Sequence, residues 1–276
     1  MRTALLQITS SDDPAENIGS VRAMLREAVA GGAGFVLTPE VTNCVSSSRS
    51  RQNEVLCFEG DDPTLAALRD EAARAGIWLL IGSLALKTDD ARGRFANRSF
   101  VIDPEGHIRA RYDKIHMFDV QVTETETYRE SEGFRPGAQA VTVATPFGIL
   151  GLSVCYDVRF PYLYRALAQA GAEILTVPAA FSPVTGAAHW EPLLRARAIE
   201  CGAYVLAPAQ CGKHPSGQGR ARETHGHTMA VAPWGEVLAE AEKAPGITWA
   251  EIDSAEVAKA RARVPSLTHD RGFEGP

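Results

Sequence analysis

Apolar residues along the chain recur with two periods, and each period marks a kind of element. Residues 4–7 form a short apolar run, and Asp13-Pro14 then combines a helix N-cap with a first-turn proline. Ile18, Val21, Leu25 and Ala28 follow on one helical face, which Gly31-Gly32 ends. Residues 35–38 read as a buried strand. Asp62-Pro63 repeats the start signal, with Leu65, Leu68, Ala72 and Ala75 on one face and a strand at 78–81. Residues 99–102 and 107–112 flank Asp103-Pro104-Glu105-Gly106, a hairpin signal.

The second half repeats the theme. Strands are predicted at 141–144, 149–154, 174–177 and 204–207, with a helix around Leu163, Ala166, Leu167 and Ala170. Trp190, Leu193, Leu194, Ala198 and Cys201 line one face of a further helix. Residues 228–231 and 236–241 flank Pro233-Trp234-Gly235 as a second hairpin, 246–252 closes a sheet, and a last helix starts near Ser254. No linker, charge block or low-complexity tract divides the chain. The pattern predicts a mixed α/β layered fold with strands too numerous for one small sheet. We read one domain over residues 1–263 and a C-terminal tail over 264–276.

Composition narrows the function classes. The 276 residues are 45% hydrophobic and carry a net charge of −6, which fits an ordered globular chain and argues against a broad basic face for nucleic acid. The five cysteines, Cys44, Cys57, Cys155, Cys201 and Cys211, have neither a disulfide framework's spacing nor a paired C-x-x-C. An odd set of free thiols suggests a reducing compartment, and the first ten residues do not read as a signal peptide, so a cytoplasmic protein is expected. The uncharged stretch 136–156 is long enough for a membrane question. Its Pro146, Gly148 and Gly151 favour two strands around a Thr-Pro-Phe-Gly turn instead.

Cys155 is the first candidate for chemistry. It follows the apolar run 149–154 and precedes a helical segment, where backbone N–H groups favour a thiolate and can bind an oxyanion. A buried free cysteine in the same place is often inert. Cys201 shares a helical apolar face and reads as core. Glu40 follows the apolar run that ends in Thr38-Pro39, and Lys114 follows the strand that ends at Tyr112. Either charge alone is equally readable as solvated. Three such groups at strand ends converge on one crevice of an α/β sheet.

These residues carry a resemblance to the nitrilase superfamily of carbon–nitrogen hydrolases. They are Thr38-Pro39-Glu40, Tyr112-Asp113-Lys114-Ile115-His116 and Cys155-Tyr156-Asp157-Val158-Arg159-Phe160-Pro161. Tyr128-Arg129-Glu130-Ser131, followed by Pro136-Gly137, is similar to the loop where the family often places a second glutamate. The resemblance implies an α-β-β-α sandwich, usually assembled as a homodimer or larger homo-oligomer, with no metal or organic cofactor. It makes Glu40 a general base, Cys155 the nucleophile, Lys114 and the Tyr156 N–H the oxyanion donors, and Glu130 a group that orients Lys114 or the substrate nitrogen.

Phe181 to Gly186, Ala188-His189-Trp190-Glu191, Ala209-Gln210-Cys211-Gly212, Thr224 to Thr228 and Pro233-Trp234-Gly235 are similar to the deaminated glutathione amidase and omega-amidase branch. That branch implies a small amide substrate bearing a carboxylate, with Arg159 as its cation and Phe181 and Thr185 shaping the pocket. Arg159 is equally readable as one half of a salt bridge. Segment 41–48 is smaller and more polar than the branch pattern at the expected pocket mouth. The stretch 213–220 reads as a solvated basic loop.

The same triad would serve a nitrilase or an N-carbamoyl amino acid amidohydrolase, and a non-catalytic binding subunit could share the scaffold. A serine hydrolase is disfavoured because Cys155 stands where the nucleophile elbow Gly151-Leu152-Ser153-Val154 requires a final glycine. A metal site at His225 and His227 lacks a third ligand at known spacing.

Overall fold

The computed structural model describes residues 1–124, 126–219 and 221–275. Its helix starts follow from local chemistry. Asp13 Oδ1 accepts from Ala15 N at 2.8 Å ahead of Pro14–Ala30, and Asp62 Oδ1 accepts from Leu65 N at 2.8 Å ahead of Pro63–Ala75. Each cap satisfies an N–H that has no partner inside its helix. Gly76 ends the second helix at φ 65°, a left-handed position.

The strands form two six-stranded sheets. In spatial order the first runs Gly246–Glu251, Arg2–Gln7, Phe35–Leu37, Trp78–Leu86, Ala96–Ile102, Ile108–Asp113. The second runs Val237–Glu240, Met229–Val231, Tyr204–Ala207, Ile174–Thr176, Gly148–Leu152, Thr142–Thr145. Each has a parallel centre: Leu5 pairs with Leu37 and Leu37 with Leu80 in one, Leu152 with Thr176 and Thr176 with Leu206 in the other.

Side-chain alternation along these strands builds the layers. Ala4, Leu6, Val36, Leu79 and Ile81 pack with Val21, Leu25, Leu68 and Ala72 of the two N-terminal helices. Their neighbours Leu5, Leu37, Leu80 and Val101 face the other way, into a cluster with Leu150, Leu152, Ile174, Leu175 and Val205. Leu163, Leu167, Trp190 and Leu194, from helices Pro161–Gln169 and Pro183–Cys201, join that second cluster. The molecule is therefore a helix–sheet–sheet–helix sandwich, as the resemblance implied. Leu25 and Leu68 are fully buried, and each such side chain contributes about 1.5–3 kcal/mol. Cys201 is in this core, as its helical position suggested.

Three short elements were not legible in the apolar pattern: helix Arg49–Val55 and the two-stranded ribbons Asp119–Gln121 with Thr127–Arg129 and Cys211–Lys213 with Glu223–His225. The second ribbon frames the stretch 213–220, whose described residues other than His214 are exposed, in line with the solvated reading. His214 is buried, its ring between Ser10 O and Thr224 Oγ1 at 2.8 Å each, and Ser216 Oγ and Gly217 N bond to Asp12 Oδ2. Arg220, counted in that loop, lies outside the described residues. Among the described residues no helix is long and apolar enough to cross a membrane.

Candidate active site

The carboxyl ends of two parallel strands and of the edge strand Ile108–Asp113, which pairs antiparallel, deliver three polar groups to one crevice. Past strand Phe35–Leu37 the chain is held tightly: Thr38 N donates to Leu80 O at 2.9 Å and Val41 N to Ser83 Oγ at 2.7 Å. Val41 adopts φ 46°, a left-handed conformation that a β-branched residue keeps only when its surroundings enforce it. Gly82 allows this approach, since a Cβ there would lie 1.9 Å from Thr38 O. The turn aims Glu40 inward. Its Oε1 accepts from Asn97 Nδ2 at 2.8 Å and Lys114 Nζ at 3.0 Å, and Oε2 accepts from Ala180 N at 2.8 Å.

Lys114 leaves strand Ile108–Asp113 on the same edge. Its backbone N–H donates to Asn97 O at 2.9 Å, and its carbonyl accepts from Gly137 N at 2.7 Å. Only glycine fits at 137, because a Cβ would stand 2.1 Å from Asp113 O. The ammonium also meets both oxygens of Glu130 at 2.8 Å, and Glu130 Oε2 accepts from Phe118 N at 2.6 Å. A cation between two carboxylates this deeply buried is held by geometry, because each charge would be costly alone.

Cys155 follows strand Gly148–Leu152 and opens the 3-10 turn Cys155–Arg159. Its φ is 50°, and its N–H donates to Pro178 O at 2.9 Å. This is a strained turn of the kind that clusters at functional sites. Tyr156 N–H takes no acceptor among the described residues, so it is available to an oxyanion.

The charges settle into a definite pattern. Burial pushes the Cys155 thiol well above its ordinary value, and the Glu40 charge adds to that while Lys114 opposes it. Burial also works against ionised Glu40, but the charges of Lys114 and Arg222 outweigh it and hold the carboxyl below its usual range. For Lys114, burial is outweighed by Glu130 and Glu40, so the ammonium is held above its usual range. The resting site is therefore carboxylate, ammonium and thiol. A proton can pass from sulfur to Glu40 when the sulfur attacks.

These groups open on a cavity of ≈380 Å³. Glu40, Lys114, Glu130, Cys155, Tyr156, Phe181 and Thr185 all line it. Thr185 Oγ1 is buried with no hydrogen-bond partner among the described residues. Arg159 packs behind the wall, 5.7 Å from the Tyr156 ring centroid and 5.3 Å from that of Phe181, with Nη1 3.1 Å from His189 Nδ1. It meets no carboxylate among the described residues, so the salt-bridge alternative has no partner here. Val41, Cys44 and Ser46, from the polar segment 41–48, line the cavity.

Four participants escaped sequence reasoning. Asn97 and Ala180 hold Glu40, Arg222 lines the cavity, and Asp157 ties the Cys155 turn to the Lys114 loop. Asp157 lay inside a quoted motif but without a role. The other three carry no local signal. His225 and His227 stack at 4.4 Å, and His227 Nδ1 lies 2.8 Å from Glu240 Oε1, but among the described residues the three do not form a group compact enough to hold a metal ion.

Comparison with known proteins bears on the family and the fold. The family profile described as carbon–nitrogen hydrolase matches residues 2–262. A deaminated glutathione amidase of Yersinia enterocolitica is 39% identical, covering 97% of this chain and 92% of its own. The crystal structure of the Caenorhabditis elegans NitFhit protein superposes with a TM-score of 0.90 at 36% identity, over 98% of this chain. This chain spans 65% of that longer protein. Saccharomyces cerevisiae Nit3, a member of branch 10 of the nitrilase superfamily, superposes with a TM-score of 0.85 at 28% identity, over 99% and 97% of the two chains.

Proposed function

This chain belongs to the carbon–nitrogen hydrolase family, and on that footing we propose that it cleaves the amide of a small carboxylate-bearing acid through a Cys155 thioester. The observation that carries the proposal is the geometry of the cavity, where Lys114 Nζ lies 3.0 Å from Glu40 and 2.8 Å from Glu130 in a wall shared with Cys155. A base that is already unprotonated can take the nucleophile's proton at neutral pH.

In this mechanism Cys155 Sγ attacks the amide carbonyl carbon as its proton moves to Glu40. The carbonyl oxygen becomes an oxyanion, held by Lys114 Nζ and the Tyr156 N–H. One such donor is worth on the order of 10²–10³ in rate. The tetrahedral adduct collapses by breaking the C–N bond, Glu40 returns the proton to the leaving nitrogen, and the acyl group stays on sulfur. The oxygen of a water then bonds to the acyl carbon as Glu40 takes its proton, and the C–S bond breaks as Glu40 returns that proton to sulfur, which releases a carboxylic acid and restores the thiol. Glu130 keeps Lys114 aimed at the oxyanion.

The likeness to deaminated glutathione amidases supports an acyl half that is a short dicarboxylic acid. Arg159 supplies a cation behind Tyr156 and Phe181, and the unpartnered Thr185 hydroxyl offers a donor to the bound acid. The test is a substrate panel of ω-amides, including 2-oxoglutaramate, N-carbamoyl amino acids and nitriles, with the wild type and Cys155→Ala. Amide turnover by the wild type, absent in the folded variant, with an acyl adduct mapped to Cys155, supports the reading. Activity confined to nitriles or carbamoyl compounds, or turnover that survives Cys155→Ala, overturns it.

A further inference from the structure

Gln210 is fully buried at the seam between the two sheets. It follows strand Tyr204–Ala207 of the second sheet and forms an isolated parallel bridge with Ile8, which follows strand Arg2–Gln7 of the first. Its backbone N–H donates to Ala179 O at 2.8 Å. Its carboxamide is fully engaged: Oε1 accepts from Ser10 N at 3.1 Å, and Nε2 donates to Ser10 Oγ at 2.9 Å and to Glu40 O at 3.1 Å. Ser10 Oγ can accept here because its own hydrogen goes to Thr42 O, at 2.9 Å. One acceptor and two donors at the end of one arm are what a glutamine offers, and no hydroxyl, carboxylate or ammonium supplies all three.

The bond to Glu40 O falls on a peptide that has to be held. Val41, the next residue, sits at φ 46°, where a β-branched side chain is strained. The peptide unit between Glu40 and Val41 is gripped at both ends: its carbonyl by Gln210 Nε2, from the second sheet, and its N–H by Ser83 Oγ, from the first. Ser10 holds the carbonyl of Thr42, one residue further on. Gln210 also reaches Glu40 from the other side. Ala179, bonded to the Gln210 N–H, precedes Ala180, whose N–H donates to Glu40 Oε2 at 2.8 Å. Gln210 therefore fixes both the backbone from which Glu40 leaves and the segment that receives its carboxylate.

Resting on the amidase reading above, we infer that Gln210 is a positioning residue for the hydrolysis: its carboxamide keeps the Glu40–Val41 peptide in the strained conformation that aims the Glu40 carboxylate at Cys155. Gln210 does not line the cavity, so it acts through Glu40. Gln7 is the natural comparison. It is equally buried and also makes three side-chain bonds, Nε2 to Glu242 O and Ala244 O at 2.7 Å each and Oε1 from Thr228 N at 2.8 Å. None of those partners belongs to the turn into Glu40. Loss of either glutamine leaves buried groups unpaired and weakens the fold. Only the loss of Gln210 frees the strained peptide.

The experiment compares Gln210→Met with Gln7→Met in the full-length protein. The readouts are thermal melting, kcat and KM on an amide that the wild type cleaves, and the rate of Cys155 alkylation by iodoacetamide at neutral pH, which needs no substrate. Both variants are expected to melt below the wild type. Gln210→Met loses on the order of 10²-fold in kcat with KM little changed, the scale of a small misplacement at a reacting centre. Its Cys155 is alkylated faster, because the Glu40 charge that pushes the thiol upward has withdrawn. Gln7→Met keeps the wild-type kcat and alkylation rate. Ser10→Ala removes one link of the same clamp and moves kcat and alkylation in the same directions by less, which decides the question should Gln210→Met not fold. A Gln210→Met protein that matches Gln7→Met in both readouts overturns the proposal, as does a loss of kcat with unchanged alkylation. Failure of the wild type on every amide refutes the amidase reading, and alkylation then decides by itself whether Gln210 places Glu40.

Discussion

Asp157 and His116 are joined twice: Asp157 Oδ1 accepts the His116 backbone N–H at 3.0 Å and lies 2.7 Å from its ring Nδ1. The other oxygen of the same fully buried carboxylate accepts Val154 N–H at 2.8 Å and the Tyr112 hydroxyl at 2.6 Å. Val154 precedes Cys155, while Tyr112 and His116 flank Lys114 two residues to either side. One carboxylate thus fixes the distance between the sulfur and the ammonium.

Asp157→Asn places an N–H₂ where an acceptor is needed and leaves a buried donor unmatched. We expect a stability loss of about 1–3 kcal/mol in denaturant titration. Turnover should fall by on the order of 10²-fold, since small misplacements at a reacting centre carry that cost. A stability loss with unchanged kcat would show that the bracket serves folding alone.

The charge pattern makes a less intuitive prediction for Glu40→Gln. Loss of the base should lower amide turnover by on the order of 10²–10⁴-fold. It also removes a negative charge that pushes the Cys155 thiol upward, while Lys114 stays. Alkylation of Cys155 by iodoacetamide at pH 7 should therefore become faster as catalysis fails. In the wild type, alkylation should keep rising with pH beyond 9, the ordinary thiol value. Slower alkylation in the variant would contradict this electrostatic account.

Legibility in the sequence followed the range of the interactions. Asp13-Pro14 and Asp62-Pro63 are local signals, and both helices begin where those signals stand. Strand-end residues Glu40, Lys114 and Cys155 could be singled out because apolar runs lead into them. Asn97 and Arg222 could not, because an asparagine at the start of a strand and an arginine near the end of a loop gain meaning only when the sheets bring them to Glu40 and Ala180. The described residues of 213–219 other than His214 are exposed, as composition suggested, but the anchoring of Ser216 and Gly217 by Asp12, more than 200 residues away in sequence, carried no local signal.

Lys114→Met tests the buried ion triad. It leaves Glu40 and Glu130 facing each other without their cation, and a broken buried pair costs about 3–5 kcal/mol. The sign of the pH dependence follows from Glu40. Its carboxyl is held below the ordinary 4.5 in the folded protein, so its stabilising contribution is present above pH 4.5 and is lost as pH falls through the folded value. In Lys114→Met the Glu40 value rises, because burial then acts unopposed by the nearest charge. Protonating Glu40 then relieves the variant, so the stability it loses relative to the wild type should be largest near neutral pH and shrink as pH falls, as read by denaturant titration at several pH values. A loss that does not change with pH would mean that Lys114 does not hold Glu40 ionised.

Gly82→Ala probes the backbone that aims the base. A Cβ at this position would stand 1.9 Å from Thr38 O, 2.8 Å from Pro39 O and 2.5 Å from Pro178 Cβ. The first two atoms belong to the turn into Glu40, and the third lies two residues before Ala180, whose N–H holds the Glu40 carboxylate. Backbone cannot rotate aside as a flexible side chain can, so the turn and the Pro178 segment must separate. Overpacking of this kind costs about 1–3 kcal/mol. Because the displaced atoms carry Glu40 and its donor, kcat should fall by more than tenfold, while the alkylation rate of Cys155 should rise as the carboxylate withdraws. Wild-type kcat in a folded Gly82→Ala protein would show that Glu40 reaches Cys155 without this close approach.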